Sequence, residues 1–211
     1  MTPFAGFPDD AFEFYAELEH NNNRDWWLEH RATYDSAVKE PLAALLAGLA
    51  PQFGEAKLFR PNRDIRFSAD KSPYKTAQGA VAEVAEGMGF YVQLDADGLL
   101  IGGGYHISTP AQLARYRSAV DAPSSGGVLQ QILAHVEEQG FEVEGETLKT
   151  VPRGFAKDHP RAELLKYKSL AAGTHVGRPG WLSTPEAAGE VARRWEELRP
   201  LVEWTGRYAA P

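Results

Sequence analysis

Apolar positions recur at helical spacing through the first third of the chain. Asp10 with Glu13 three residues on makes a capping-box pattern, and Phe14 and Leu18 lie one turn apart, predicting a helix over about 10–20. His20-Asn21-Asn22-Asn23 reads as a turn in which an Asn caps a second helix, with Asp25 in its first turn. Trp27, Tyr34 and Val38 share one face of that helix. Pro41 ends it or opens the next, whose Leu42, Leu45, Leu46 and Leu49 form an apolar stripe. Pro51 is expected to close this helical third, about 8–50.

The pattern then changes period. Phe90, Val92 and Leu94 alternate with Tyr91 and Gln93, Asp95-Ala96-Asp97-Gly98 supplies a turn, and Leu99-Leu100-Ile101 resumes an apolar strand. Gly79–Glu86, with Val81 and Val84, is a weaker strand pattern. Gly102-Gly103-Gly104 should interrupt the strand that precedes it, marking a bulge or a close approach by another backbone or a ligand. The sheet, with the loop before it, covers about 57–108.

Helices return at Pro110, with Leu113, Tyr116 and Val120 on one face. Ser124-Ser125-Gly126-Gly127 reads as a polar turn before a helix carrying Val128, Leu129, Ile132, Leu133 and Val136, which Gly140 ends. Phe141–Glu146 is a candidate strand, and an irregular stretch follows around Pro152, Gly154 and Pro160. Leu164, Leu165 and Tyr167 predict an amphipathic helix with Lys and Arg on its solvated face. These helices and the basic residues among them occupy about 110–168. Thr184-Pro185 starts a last helix, about 185–207, with Val191, Trp195, Leu198 and Val202 on one face. Pro200 should kink or break it. No repeat or long linker divides the chain, so the reading is a single α+β domain over 1–211, with several helices on a mainly antiparallel sheet.

Composition narrows the chemistry. The 211 residues are 43% apolar and 24% charged, typical of a folded globular chain. The absence of cysteine removes disulfides, thiolate metal sites, Fe–S clusters and thiol nucleophiles. There is no apolar run of about 20 residues, and Met1-Thr2-Pro3-Phe4-Ala5-Gly6 lacks a basic region leading into an apolar one. A cytoplasmic protein with no membrane association is expected.

The net charge of −7 is unevenly spread. Residues 57–75 hold six cations (Lys57, Arg60, Arg63, Arg66, Lys71, Lys75) against Asp64 and Asp70. Residues 149–168 hold six more (Lys149, Arg153, Lys157, Arg161, Lys166, Lys168) against Asp158 and Glu163. Two blocks of +4 in an acidic chain are a local anion-binding signal, unlike the overall basic balance of a protein that coats nucleic acid.

The first block is the candidate site. In an extended strand Arg63 and Ile65 would face one side, Asp64 and Arg66 the other. Arginine forks suit bidentate contact with phosphate or carboxylate, and lysine adds a compact charge. Ser68 and Ser72 bracket Asp70-Lys71, and Pro73 turns Ser72 away from helix. Tyr74 adds a ring and a hydroxyl beside Lys75. The competing reading is a structural ion network in which Asp64 and Asp70 neutralise neighbouring arginines. In the second block, exposed cations on a helix compete with ligand contact by Lys149, Arg153 or Lys168.

Hard catalytic signatures are missing: there is no P-loop, no dinucleotide-binding glycine pattern, no H-E-x-x-H and no G-x-S-x-G. Gly102-Gly103-Gly104-Tyr105-His106 resembles an oxyanion loop, but its position at a strand end more often means a bulge. The six histidines show no i, i+4 pair, and Asp158-His159 lacks visible partner ligands, so neither metal nor cofactor is expected.

The chain resembles the widespread bacterial family known as domain of unknown function 2461. The resemblance rests on Asn21-Asn22-Asn23-Arg24-Asp25-Trp26-Trp27, Arg60-Pro61-Asn62-Arg63-Asp64-Ile65-Arg66-Phe67, Asp70-Lys71-Ser72-Pro73-Tyr74-Lys75-Thr76 and Gly102-Gly103-Gly104-Tyr105. It continues through Leu148-Lys149, Pro152-Arg153-Gly154-Phe155, Asp158-His159-Pro160 and Leu164-Leu165-Lys166-Tyr167-Lys168. Trp27 stands where the family usually has Phe, and Ala77 where a polar Asn or His is common. The resemblance implies a compact cytoplasmic protein and transfers no activity.

The leading functional expectation is a pocket for a small anionic ligand, nucleotide-like or otherwise phosphorylated. Arg60, Arg63, Arg66, Lys71 and Lys75 would supply charge, Asp64 orient an arginine, and Tyr74 stack or donate, with Asp70 among the ligand-binding residues. Gly103, Gly104 and Tyr105 would admit the ligand to the backbone, and Lys149, Arg153 or Lys168 close the far side. Catalysis, if present, would be electrostatic stabilisation of developing negative charge. The alternatives are a single-stranded nucleic-acid binder, with Phe59, Phe67 and Tyr74 interleaved among the cations, and an interaction scaffold. The net charge counts against nucleic acid.

Overall fold

Proline decides less of the helical third than its chemistry suggests. In the computed structural model, which describes residues 3–66, 69–106 and 109–210, α1 (Asp9–His20) is followed by a continuous helical run. That run is α2 (Arg24–Thr33), a π segment (Tyr34–Lys39) and α3 (Glu40–Phe53). Pro41 stands in the first turn of α3, the second of the two sequence readings, but no break precedes it because the wide π turn hands over directly to α3. There the Glu40 N–H donates to the Asp35 carbonyl, five residues back. Pro51 lies inside α3, which stops two residues later before Gly54 (φ 86°).

Among the described residues six strands form one antiparallel sheet: β1 (Ala56–Leu58), β2 (Ala77–Ala85), β3 (Met88–Asp95), β4 (Gly98–Tyr105), β5 (Glu142–Glu144) and β6 (Leu170–His175), in the order β1-β2-β3-β4-β6-β5. The β2 pattern is a full strand of nine residues. The expected strand over 141–146 shortens to β5, while β1 and β6 carry patterns too short or too small-residue-rich to read. β4 is not interrupted by its three glycines.

The remaining elements are α4 (Pro110–Asp121), α5 (Pro123–Glu138), α6 (Ala162–Lys166), a 3₁₀ turn (Gly180–Ser183) and α7 (Glu186–Ala209). The expected turn at 124–127 is the first part of α5: Pro123 supplies the fixed φ of a first helical position, and the Ser125 hydroxyl donates to the Ala119 carbonyl, 2.6 Å. Val128 does not join the apolar face and stands 47% exposed. α7 runs through Pro200 without a break. Pro200 and Glu196 are exposed, so water can satisfy the freed carbonyl, while buried Leu198, Leu201 and Val202 hold both sides of the proline.

Two compact units make up the chain. The first comprises residues 1–82, 91–101 and 175–193. Its core is aromatic: Phe14 meets Trp27 edge-on at 5.6 Å between centroids, and Trp27 meets Tyr34 at 4.9 Å. Leu42, Leu45, Leu46 and Leu49 of α3 are all buried, as their spacing predicted. The second comprises 83–90, 102–174 and 194–211. There Tyr105, Tyr116 and Trp204 pack in series, and the Trp204 indole donates to the Ser125 carbonyl at 3.0 Å.

Candidate functional site

The cationic segment of the first unit is a long hairpin loop rather than a strand. Asn62 and Tyr74 form a single antiparallel bridge, the Arg63 N–H donates to the Pro73 carbonyl (2.9 Å), and the Lys75 N–H to the Pro61 carbonyl (2.8 Å). Beyond the bridge, local turn chemistry takes over from pairing. The Asp70 carboxylate accepts from the Ser72 N–H at 2.9 Å and its hydroxyl at 2.7 Å, and the Lys71 ammonium donates to the Ile65 carbonyl at 2.9 Å.

Uncharged side-chain amides, one half-buried and one buried, fix both feet of this loop. The Asn22 side-chain amide donates to the Tyr74 carbonyl (3.0 Å) and accepts the Tyr74 N–H (3.1 Å), standing in for a neighbouring strand. Asn23 caps α2 by accepting the Trp26 N–H at 3.0 Å, which sets Trp27 one turn on, flat against the Tyr74 ring. At the entry foot, Gln78 is 1% exposed and donates to the Phe59 carbonyl (2.8 Å) and the Gly79 carbonyl (2.9 Å). Its own carbonyl accepts from the Tyr34 hydroxyl at 2.7 Å. In the sequence Asn22 reads as part of a turn and Trp27 as one position on a helix face, and Gln78 carries no reading. The available signal was a polar residue sharing the β2 face of buried Ala80 and Ala82.

The two aspartates divide the arginines between them. Arg66 makes a bidentate fork on Asp64, Nε to Oδ1 at 3.0 Å and Nη2 to Oδ2 at 2.7 Å, and its backbone N–H adds a third bond at 3.2 Å. These bonds hold the Asp64 carboxyl below the ordinary carboxylate value. Arg63 reaches Asp70 through Nη1 at 2.9 Å, while its Nε is buried with no hydrogen-bond partner among the described residues. The Ser72 hydroxyl, then the Ser72 N–H, lowers the Asp70 carboxyl likewise. Arg60, Lys71 and Lys75 form no ion pair among the described residues; the Lys75 ammonium sits 5.4 Å from the Phe59 ring centroid. Asp64, Arg66, Arg63 and Asp70 are therefore matched, and the other cations are surplus. Phe67 and Ser68 lie outside the described residues.

The other residues singled out belong to the second unit. Gly103 and Gly104 do mark a close approach, and the approach is made by the chain itself. A methyl on Gly104 (φ 147°) would run into the Leu170 carbonyl and Ala171 of β6, and one on Gly103 would lie 3.0 Å from a Val202 methyl of α7. Tyr105 is 2% exposed, its hydroxyl has no partner among the described residues, and burial raises it far above the ordinary tyrosine value. Lys168 pairs with Glu146, whereas Lys149 and Arg153 are exposed. The expected basic helix shrinks to the five residues of α6, and Arg161 is not on a solvated face. Its guanidinium donates to the Val120 carbonyl (2.6 Å) and the Asp121 carbonyl (2.8 Å), closing the C-terminal end of α4. His159 lies 3.1 Å from Asp121 through Nε2 and accepts the Arg161 N–H on Nδ1, so both ring nitrogens are engaged.

Among the described residues no helix is long and apolar enough to cross a membrane. No curated protein and no solved structure matches the chain. The family of conserved hypothetical proteins designated DUF2461 matches residues 10–204, a span containing the Asn22–Trp27 clamp and the whole cationic loop, and the chain belongs to that family.

Proposed function

We propose that the loop of residues 59–75 binds a small anionic ligand, nucleotide-like or otherwise phosphorylated, in the cytoplasm. One observation carries the reading: a loop of surplus positive charge is locked at both feet by uncharged hydrogen bonds from Asn22 and Gln78. An internal ion network needs only charges in balance. Here Arg60, Lys71 and Lys75 remain after Asp64 and Asp70 are matched, on a loop whose two feet are held without them. Donors held in place before a ligand arrives lose little freedom on binding it. The buried Arg63 Nε–H adds a donor that binding would satisfy.

The loop offers donors rather than stacking surface. Lys75 covers Phe59 and Trp27 covers Tyr74, so phosphate is favoured over a run of unpaired bases. The same groups suit stabilisation of developing negative charge, should the ligand react there. Calorimetric titration with inorganic phosphate, pyrophosphate and nucleoside phosphates at low ionic strength tests the proposal. Saturable binding is expected, weakened about tenfold or more in Arg60→Ala/Lys75→Ala and falling steeply with added salt. Absence of binding by every one of these anions at low salt overturns it.

A further inference from the structure

We infer that Asp64 is an internal stand-in for the ligand: it occupies the Arg66 fork, and a phosphoryl group, not a carboxylate, displaces it. The inference rests on the anion-binding reading and goes further by assigning the ligand class and the group it replaces.

The two aspartates are held in different ways. Asp70 is anchored by its own turn, through the Ser72 N–H and hydroxyl, so it remains in place whatever Arg63 binds. Among the described residues, every hydrogen bond to the Asp64 side chain comes from Arg66. Both side chains of that pair are exposed, 75% for Arg66 and 44% for Asp64, and exposed pairs contribute little to stability. Asp64 is thus the carboxylate that can leave without loosening the loop, whereas Asp70 positions Arg63.

Displacement sets the ligand class. A ligand carboxylate replacing Asp64 on the fork exchanges like for like and must compete with a group tethered two residues away, whose effective concentration is high. A phosphoryl group offers three terminal oxygens. Two can take the fork in the same bidentate geometry, and the third is left for another donor of the loop. Only a ligand that gains more contacts than it replaces wins the exchange, so the internal carboxylate screens out carboxylate metabolites.

The test is titration of the full chain and of Asp64→Asn and Asp70→Asn with pyrophosphate and with tricarballylate, a tricarboxylate of similar charge. Thermal unfolding serves as the check that each variant folds. Expected results are binding of pyrophosphate but not tricarballylate by the unaltered protein, and about two- to fivefold tighter pyrophosphate binding by Asp64→Asn, the range an exposed pair can return. Asp70→Asn removes the same charge and serves as the control; it should show no gain, because Arg63 loses its positioning partner. Equal gains in both variants would mean bare charge alone, and equal binding of tricarballylate by the unaltered protein would mean no selection. Either result overturns the inference while leaving the anion reading intact. Pyrophosphate binding to none of the three proteins overturns both.

Discussion

The indole of Trp27 lies flat against the phenol of Tyr74, ring centroids 4.1 Å apart and planes 9° apart, joining α2 to the exit foot of the cationic loop. Both rings are buried, Trp27 at 3% and Tyr74 at 7% exposure. Trp27→Ala should destabilise the protein by about 3–5 kcal/mol, since it removes a core aromatic and leaves a cavity against Phe14 and Tyr34. Trp27→Phe should cost only about 1 kcal/mol because the ring contact survives in smaller form. Urea unfolding of the pair checks this; equal losses would show that the stack does not matter.

Asn22 makes a different prediction because its contacts are polar. Asn22→Ala leaves the Tyr74 N–H and carbonyl without their partner, at a cost of about 1–3 kcal/mol. Hydrogen exchange at the Tyr74 amide should accelerate strongly while amides of α3 change little. Phosphate binding should weaken in the same variant although no charge has been removed. Unchanged exchange at Tyr74 would show that the loop foot is held by other contacts.

Much of this architecture is written in local pattern. Leucines at helical spacing in α3, the alternation Phe90-Val92-Leu94, and Val191, Trp195, Leu198 and Val202 on α7 all point inward as their periods require. The misreadings have a common cause. Proline and glycine punctuate a chain only where the fold leaves the freed backbone group unserved. Pro41 follows the π segment without a break, Pro200 sits on an exposed turn of α7, and at Ser124–Gly127 a first helical turn absorbs the glycines. The cationic loop was legible from charge alone. Its supports were not, because Asn22 and Gln78 act on backbone atoms far along the chain, and no local period encodes a long-range amide bond.

Glycine substitutions separate close approach from mere flexibility. Gly104→Ala should destabilise by about 3 kcal/mol or more, because φ is 147° and the new methyl meets the β6 backbone. Gly127→Ala should instead stabilise by about 0.5–1 kcal/mol, since it lies within α5 with open space where the methyl would go. Thermal unfolding of the two variants should therefore move in opposite directions. A tolerated alanine at 104 would mean that β6 can retreat from β4.

Alkaline pH probes the entry foot through Tyr34. Its hydroxyl donates to buried Gln78, and burial, then the nearby Asp35 charge, pushes its pKa up from 10.0 to about 12. The folded state thus holds this proton more tightly than the unfolded chain does. Its contribution to stability is complete below pH 10 and is lost as pH rises through about 12, amounting to roughly 2–3 kcal/mol by linkage. Tyr34→Phe removes the proton but leaves the Gln78 oxygen without its donor, so it should be less stable at neutral pH by about 1–3 kcal/mol. Its stability should also fall less between pH 10 and 12 than that of the unaltered protein, the remaining decline coming from the other buried tyrosines, such as Tyr15 and Tyr116. Denaturant unfolding across that pH window checks the sign. Parallel curves for the two proteins would show that the Tyr34 hydroxyl ionises as it would in water.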